Sequence, residues 1–189
     1  MITKEDEDFN FKFVKNYEIN NIIDYIKNFN AEWYYDTTRQ DMYPAHKFTN
    51  SYFLYEHSNR WTNGDPYEPT LLCKDQFFMD MVSPIISDLE NIYDGRVGKA
   101  LFINLTAGKA IAGHFDAGDY LGASRRVHIP IITNPDVDFI INNECINMKI
   151  GECWEINNNR LHSVNNRSEQ DRVHLLVDIL PNSFFQEQK

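Results

Sequence analysis

The sequence predicts a domain of the α+β class that is mainly β, and three observations lead to that prediction. Apolar residues recur at helical spacing in the N-terminal half of the chain. From about residue 98 onward, short runs of β-favouring residues replace that pattern, and turn signals separate them. No internal repeat or low-complexity linker divides the chain. Helices gathered at one end of such a chain are expected to cover one sheet.

Two helices are predicted in the N-terminal half. The first covers residues 17–29 and the second residues 75–93, where Pro84 is expected to kink or interrupt the helix. Between them, residues 48–55 alternate weakly and are a candidate strand. Residues 59–69 contain the run Asn-Gly-Asp-Pro, which is typical of a loop.

Five strands are predicted in the C-terminal half. They cover residues 100–105, 127–132, 137–141, 153–156 and 173–180. Glycine, proline, asparagine and aspartate residues between the strands favour turns. Many short strands with regular turns are typical of a β-sandwich or a jelly-roll barrel. The sequence therefore predicts one of these two, with the N-terminal helices packed on one sheet.

The charge and the cysteines limit the classes of function. The net charge is −10 and the isoelectric point is near 5.0, which opposes binding to phosphate backbones because that binding relies on Lys and Arg. Cys73, Cys145 and Cys153 have neither zinc-site nor disulfide-framework spacing. The N-terminus lacks the pattern of a secretory signal, and no stretch is apolar enough to span a membrane. We therefore expect a cytoplasmic protein that binds neither nucleic acid nor membranes.

A histidine and an aspartate lie two positions apart in residues 113–118. On an extended strand, His114 and Asp116 point to the same face, while Phe115 points into the opposite layer. A second histidine, His162, follows downstream. Two histidines and one carboxylate form the facial triad typical of non-haem iron(II), which leaves three coordination positions open. A histidine that is hydrogen-bonded within a strand is the alternative interpretation of so short a motif.

Two further segments place an arginine and a histidine on one strand face. Arg172 shares a face with His174, and Arg126 shares a face with His128, while apolar residues occupy the opposite faces. A buried arginine is costly to leave unpaired and its planar fork suits a carboxylate, so a dicarboxylic co-substrate is a natural partner. The alternatives are an internal salt bridge for Arg172 and an orienting role for Arg126 or His128.

Together these motifs resemble the aspartyl/asparaginyl β-hydroxylase group of 2-oxoglutarate oxygenases. The resemblance covers about residues 98–180, with a weaker echo at residues 39–49. Its specific parts are His114-Phe115-Asp116, Arg126-Val127-His128, Gly151-Glu152-Cys153-Trp154, His162-Ser163-Val164-Asn165 and Arg172-Val173-His174. Their order and the ten-residue interval from His162 to Arg172 both fit the group.

The resemblance implies one oxygenase domain over residues 1–189, with a double-stranded β-helix (a cupin-like jelly roll). About residues 1–97 would supply helical support and the substrate side, and about residues 98–180 would form the core with the metal site. The catalytic metal ligands would be His114, Asp116 and His162.

The resemblance also implies a pocket for 2-oxoglutarate. Arg172 would hold the distal carboxylate of this co-substrate, and Arg126 with His128 would line the pocket. Iron(II) would be the metal, with ascorbate as a candidate reductant.

The activity implied is hydroxylation of a C–H bond in an amino acid or in a peptide or protein side chain, with release of succinate and carbon dioxide. Asp116 favours hydroxylation, because iron-dependent halogenases of the wider superfamily lack this carboxylate so that halide can bind. The sequence indicates no oligomeric state.

Two other classes of function stay open. One is a cupin-like isomerase or other metal-dependent enzyme that works without 2-oxoglutarate, and the other is a non-catalytic jelly-roll binding module. His46, His57 and Glu56 are weaker candidates for a second metal, since their spacing fits no single face and is more typical of solvated surface residues. Residues 33–35 and Trp61 are candidates for substrate recognition or for simple aromatic packing.

Overall fold

The computed structural model describes residues 7–28, 38–56, 68–69 and 76–186. Several sequence predictions concern residues outside these ranges. They are the free thiol of Cys73, the candidate ligand His57, the aromatic residues at 33–35 and 61, and most of the loop predicted at residues 59–69.

Within the described ranges, the chain forms eleven strands, five helices and one 3₁₀ turn. The strands are β1 (Phe11–Asn16), β2 (Thr49–Glu56), β3 (Glu68–Pro69), β4 (Gly95–Leu105), β5 (Ala110–His114), β6 (Arg125–Ile132), β7 (Val137–Ile141), β8 (Glu144–Ile146), β9 (Glu152–Ile156), β10 (His162–Asn166) and β11 (Arg172–Pro181). The helices are α1 (Asn20–Asn28), α2 (Thr38–Met42), α3 (Gln76–Ile92), α4 (Asp119–Ala123) and α5 (Asn182–Gln186), and the 3₁₀ turn is Pro44–His46. None of these helices has the length and apolar character needed to cross a membrane.

The strands form two antiparallel sheets. The seven-stranded sheet has the order β1-β9-β6-β11-β4-β2-β3, and the four-stranded sheet has the order β5-β10-β7-β8. This is the mainly β, jelly-roll member of the α+β class that the sequence predicts, with α1 and α3 packed on the larger sheet. The fold-class prediction is confirmed.

Two apolar layers stabilise this arrangement. The larger layer lies between the helices and the outer face of the seven-stranded sheet, and it includes Phe78 and Leu89 from α3. The second layer lies between the two sheets, with Ile111 from β5, Phe139 from β7 and Val164 from β10. Full burial of each such side chain contributes about 1.5–3 kcal/mol relative to exposure.

The alternation predicted for β11 is present. Val173, Leu175 and Val177 pack with the helices, whereas Arg172 and Leu176 line a pocket inside the barrel. A strand buried on both faces can carry polar side chains only where the interior offers partners or a ligand. The inward face of β11 is therefore where the candidate site begins.

The structure differs from the sequence prediction at several elements. α3 continues through Pro84, which lies on an exposed face where water can replace the lost backbone hydrogen bond. Glu68 and Pro69 pair with β2 as the short strand β3, within the stretch predicted as loop. The strands predicted from the sequence do not include β1, β5, β8 and β10, which are short, and β1 and β10 carry at least as many polar as apolar residues.

Candidate metal centre

Two histidines and an aspartate meet at one end of the smaller sheet. His114 ends β5 and His162 begins β10, and the two residues are direct partners across the strand pair. The Nε2 atom of His114 lies 3.8 Å from Oδ1 of Asp116, and the Nε2 atom of His162 lies 3.7 Å from Oδ2. One candidate ligand atom from each of the three residues lies within 4.8 Å of the other two. The structure thus brings together the three residues that the sequence predicts as ligands.

The geometry around Asp116 differs from the one expected. β5 ends at His114, so Asp116 lies in the following loop and strand alternation does not place it. Its position is set instead by its backbone N–H group, which donates to the carbonyl oxygen of Asn158 at 3.1 Å. Phe115 does not point into the opposite layer: it is 61% exposed and lines the cleft beside the cluster. The chain leaves the sheet here, which frees Phe115 from the strand pattern.

Backbone carbonyl groups orient both imidazoles. Nδ1 of His114 lies 2.8 Å from the carbonyl oxygen of Ala112, and Nδ1 of His162 lies 2.9 Å from that of Arg160. Because a carbonyl oxygen only accepts, each Nδ1 carries the proton and each Nε2 keeps a free lone pair. Burial also lowers the pKa of His162 to about 4, against the opposing effect of Asp116. His162 is therefore neutral near pH 7, as metal binding requires.

A buried ion-pair network holds the carboxylate. Arg126 on β6 donates from NH1 to Oδ2 of Asp116, and its Nε and NH2 atoms donate to Asp178 on β11 at 2.7 and 2.8 Å. Burial raises the pKa of Asp116, but the Arg126 charge, with smaller effects of both imidazoles, outweighs burial and the net pKa lies below its ordinary value. Asp116 is thus an anion in the structure.

A second buried arginine lies deeper in the barrel with different partners. Arg172 is 1% exposed and donates from NH2 to Nδ1 of His174 at 2.6 Å. Because the guanidinium only donates, Nδ1 of His174 accepts and the ring proton resides on Nε2. Neither Nε of Arg172 nor Nε2 of His174 has a hydrogen-bond partner among the described residues. The ring of His128 lies 5.8 Å from that of His174.

The burial of this group changes its charge properties. Without a nearby carboxylate, burial lowers the pKa of Arg172 to about 9. Burial, and then the Arg172 charge, holds the pKa of His174 well below its ordinary value, so its imidazole is neutral. The inner end of the barrel therefore presents one cation and unsatisfied N–H donors, which is an environment suited to an anion.

Two neighbouring cavities reach these groups and share part of their lining. A cleft of about 450 Å³ opens beside His114 and Asp116, and a small pocket of about 30 Å³ behind it borders Arg172 and His128. Leu176 lines both cavities. A larger cavity of about 540 Å³ lies against α1 and α3, but its described lining holds no histidine or metal-binding cluster. The cleft is therefore the candidate site because it is lined by His114 and Asp116, although its volume is smaller.

One residue that lies beside the cluster is not among the site residues predicted from the sequence. His46, in the 3₁₀ turn, is 9% exposed and its ring centroid lies 5.0 Å from that of His114. The interpretation of His46 as a solvated surface residue is therefore wrong. His46 lies 68 positions before His114 in the sequence, and a local sequence pattern cannot predict a contact between such distant segments. The weak family resemblance at residues 39–49 is the one feature of the sequence that could have pointed to His46.

The donor set fits a mononuclear metal centre of the non-haem iron(II) type. Two imidazoles and one carboxylate on one side of a site, with open positions facing a cleft, match the facial arrangement of non-haem iron(II). Among the described residues these three form the group of histidine, cysteine and acidic side chains that could hold a metal. The jelly-roll fold and this cluster together place the protein among barrel proteins with a candidate mononuclear metal centre.

Comparisons with solved structures agree with the jelly-roll fold. An oxidoreductase of the 2OG-Fe(II) oxygenase family from Burkholderia pseudomallei has a TM-score of 0.62 at 11% sequence identity, and the match covers 90% of this chain and 84% of that one. The viral collagen prolyl hydroxylase of Paramecium Bursaria Chlorella virus-1, solved with 2OG, has a TM-score of 0.55 at 7% identity, with 92% and 97% covered. At these identities the likeness shows the shared fold.

The sequence itself identifies the family. The model described as "Aspartyl/Asparaginyl beta-hydroxylase" matches residues 79–181, which is more than half of the chain. The chain therefore belongs to the aspartyl/asparaginyl β-hydroxylase family, and the family predicted from the sequence motifs is confirmed. A search of the curated proteins finds no match.

Proposed function

We propose that the protein is an iron(II)- and 2-oxoglutarate-dependent dioxygenase that hydroxylates a C–H bond of an amino acid or of a peptide or protein side chain. In this reaction the substrate, 2-oxoglutarate and O₂ yield the hydroxylated product, succinate and carbon dioxide. One observation carries the proposal: a two-histidine, one-carboxylate cluster opens onto a cleft, with a buried arginine that lacks a carboxylate partner behind it.

The metal would be held by Nε2 of His114, Nε2 of His162 and a carboxylate oxygen of Asp116. The fit rests on two features of the donors. Both imidazoles already direct a free lone pair toward the cluster, and the Asp116 carboxyl group is ionised. Bound iron(II) would supply the oxidative chemistry, while these residues hold it at the base of the cleft.

The co-substrate carboxylate would be received by Arg172, with Nε2 of His174 as a second donor. Nε of Arg172 and Nε2 of His174 are both buried and have no acceptor among the described residues, and a carboxylate offers several lone pairs to such donors. His128, whose ring lies next to His174, would line the same pocket. A dicarboxylate that reached from the metal to Arg172 would neutralise the buried charge.

Entry of the co-substrate requires movement inside the barrel. The inner pocket of about 30 Å³ has room for about one water molecule. We therefore expect the apolar side chains that line it, among them Ile103, Phe139 and Leu176, to move apart on binding. Once in place, the same side chains would exclude water from the reacting atoms.

The substrate would enter through the outer cleft. Its lining combines the exposed rings of Tyr43 and Phe115 with His46, Lys99 and the apolar Leu121. This mixture suits a ligand with an apolar body and polar ends, such as an amino acid or a segment of peptide. The cleft lies directly beside Asp116, so a bound C–H group would face the metal.

The test measures succinate formation with iron(II), ascorbate and a panel of amino acids and peptides. We expect succinate to require both iron(II) and 2-oxoglutarate, and Asp116→Ala to abolish it because the metal loses its anionic ligand. Asp119→Ala is the matched control, since Asp119 is an exposed carboxylate three residues away on α4. Normal turnover in Asp116→Ala would overturn the proposal.

The two other classes of function give different results in a binding experiment. A cupin-like enzyme that works without 2-oxoglutarate would bind the metal but not 2-oxoglutarate. A non-catalytic module would bind neither. Arg172 favours the dioxygenase, because a buried cation without a carboxylate partner is suited to the distal carboxylate of 2-oxoglutarate.

A further inference from the structure

Arg126 differs from a residue that waits for a ligand, because each of its three guanidinium nitrogens already contacts a carboxylate. Nε and NH2 form a bidentate pair with Asp178, and NH1 donates to Asp116. Arg126 is 8% exposed and Asp178 is fully buried. The two residues are also direct partners across the β6–β11 strand pair, so their backbones fix the pairing.

The contact with Asp116 is specific to one oxygen. Arg126 donates to Oδ2, which also lies 3.7 Å from Nε2 of His162, while Oδ1 accepts no hydrogen bond from Arg126 and lies 3.8 Å from Nε2 of His114. A carboxylate whose second oxygen already accepts a charged hydrogen bond is oriented to bind a metal through the first one. Asp178 in turn prevents the guanidinium from rotating, because a bidentate pair defines its plane.

The loop that carries Asp116 is attached to the same network. Tyr120, on α4, donates its hydroxyl hydrogen to Oδ2 of Asp178 at 3.2 Å. Asn158 accepts from the backbone of Asp116 and donates from Nδ2 to the carbonyl oxygen of Leu121 at 3.0 Å. Side-chain and backbone contacts therefore hold the segment from Asp116 to Leu121 at both ends.

We infer that Arg126 is a positioning residue that orients Asp116 toward the metal, that Asp178 holds Arg126 in place, and that Arg126 does not receive the co-substrate. This inference rests on the proposed function for the identity of the metal site. It assigns the co-substrate carboxylate to the Arg172 end of the barrel. It also gives a role to Asp178, which does not itself line the described cleft or inner pocket.

A positioning role and a co-substrate role for Arg126 predict different effects on two quantities, the affinity for the metal and the affinity for 2-oxoglutarate. If Arg126 and Asp178 position the ligand, weakening them lowers metal affinity and leaves the affinity of the metal-loaded protein for 2-oxoglutarate nearly unchanged. If Arg126 instead turns to the co-substrate, Arg126→Lys raises the dissociation constant of 2-oxoglutarate even when the metal is saturating, because lysine lacks the bidentate fork.

The experiment measures Mn(II) affinity by calorimetry, and then 2-oxoglutarate affinity at saturating Mn(II), for Asp178→Asn, Arg126→Lys and Tyr120→Phe. We expect the first two variants to lose about 10–100-fold in metal affinity, the usual effect of removing a residue that orients a ligand. Tyr120→Phe, which deletes one hydrogen bond to Asp178, is expected to lose about 2–5-fold in metal affinity, because a single intramolecular hydrogen bond makes a smaller net contribution. The affinity for 2-oxoglutarate should stay within about threefold in all three.

The control is Arg167→Lys, which changes an exposed arginine paired with Asp138 far from the cluster and should alter neither affinity. Should Asp178→Asn fail to fold, Tyr120→Phe decides the metal result, and unchanged metal affinity there overturns the inference. Unchanged metal affinity in Asp178→Asn, or a tenfold weaker affinity for 2-oxoglutarate at saturating Mn(II) in Arg126→Lys, also overturns it. If the wild-type protein binds Mn(II) but not 2-oxoglutarate, the proposed function fails and the metal affinities alone decide the role of Arg126.

Discussion

The two buried arginines of the barrel occupy similar positions but have opposite surroundings. Both lie on adjacent strands of the seven-stranded sheet and face the interior. Arg126 contacts two carboxylates, and although burial alone lowers its pKa, Asp116 and Asp178 raise it above the ordinary value. Arg172 contacts the neutral ring of His174, and burial lowers its pKa to about 9.

Both arginines are buried to a similar degree, so burial does not distinguish a structural charge from a ligand-binding one; the residues that each arginine contacts do. A buried ion pair whose hydrogen bonds are satisfied is part of the folded structure and needs no ligand. A buried guanidinium without an anion is costly, and a bound ligand that supplied the anion would remove that cost. We therefore read Arg126 as part of the protein's own framework and Arg172 as the receptor of a carboxylate.

The largest effect that tests this contrast is on stability. Arg126→Leu leaves two buried carboxylates without their cation, and we expect it to lower the free energy of unfolding by about 3–5 kcal/mol. Urea unfolding of the metal-free protein measures the change. The double variant Arg126→Leu/Asp178→Leu should recover part of the loss, since one of the unpaired charges is gone. A stability loss in Arg126→Leu no larger than that of Arg172→Leu would remove the distinction.

The next effect is on co-substrate binding. Arg172→Leu removes the positive charge and the charge-assisted hydrogen bond from Nε, which is worth about 1.5–3 kcal/mol, so we expect 2-oxoglutarate affinity at saturating metal to fall by about 10–100-fold. Metal affinity should change by less than about threefold, since Arg172 does not contact the cluster. Calorimetry measures both quantities. If Arg172→Leu binds 2-oxoglutarate normally, the receptor lies elsewhere.

A smaller effect follows from the lowered pKa of Arg172. Below about pH 9 the guanidinium is charged, and above that pH the folded protein begins to lose the proton, while the unfolded chain keeps it because the ordinary pKa of arginine is much higher. The affinity for 2-oxoglutarate should therefore fall as the pH rises through about 9, by up to about tenfold per pH unit.

The free energy of unfolding of the ligand-free protein should change in the opposite direction. Deprotonation of Arg172 should raise it as the pH rises above about 9, because the unfolded chain then binds more protons than the folded protein. Affinity measurements from pH 7 to 10, with Arg172→Lys as the comparison, test the sign; lysine should move the fall to lower pH because its ordinary pKa is lower.

The sequence predicts one half of this contrast better than the other. Strand alternation placed Arg172 and His174, and likewise Arg126 and His128, on inward faces, because period-two patterns are local. The sequence leaves an internal salt bridge open for Arg172. In the structure the buried carboxylate of Asp178 instead pairs with Arg126, and Arg172 contacts His174. Asp178 lies an even number of residues after Arg172 on β11, so strand alternation also predicts that Asp178 faces inward. Its pairing with Arg126 depends on the register between strands, which a single strand does not encode.

The remaining site features depend on long-range packing. Asp116 lies beyond the end of β5 and owes its place to a hydrogen bond from its backbone to Asn158. His46 reaches the cluster through a 3₁₀ turn from the other half of the chain. In both cases the residue type carried a signal, but its location depends on contacts between distant segments.

The most direct test of the account is an anaerobic titration of 2-oxoglutarate into wild-type protein with and without iron(II), followed by calorimetry and by visible absorption. We expect iron(II) to bind at one site per chain, and 2-oxoglutarate then to bind with a new charge-transfer band from its chelation. His162→Ala should lose the iron site and the band together, while Asp119→Ala keeps both. A 2-oxoglutarate affinity that is the same with and without iron(II), or a band that persists in His162→Ala, would contradict the account.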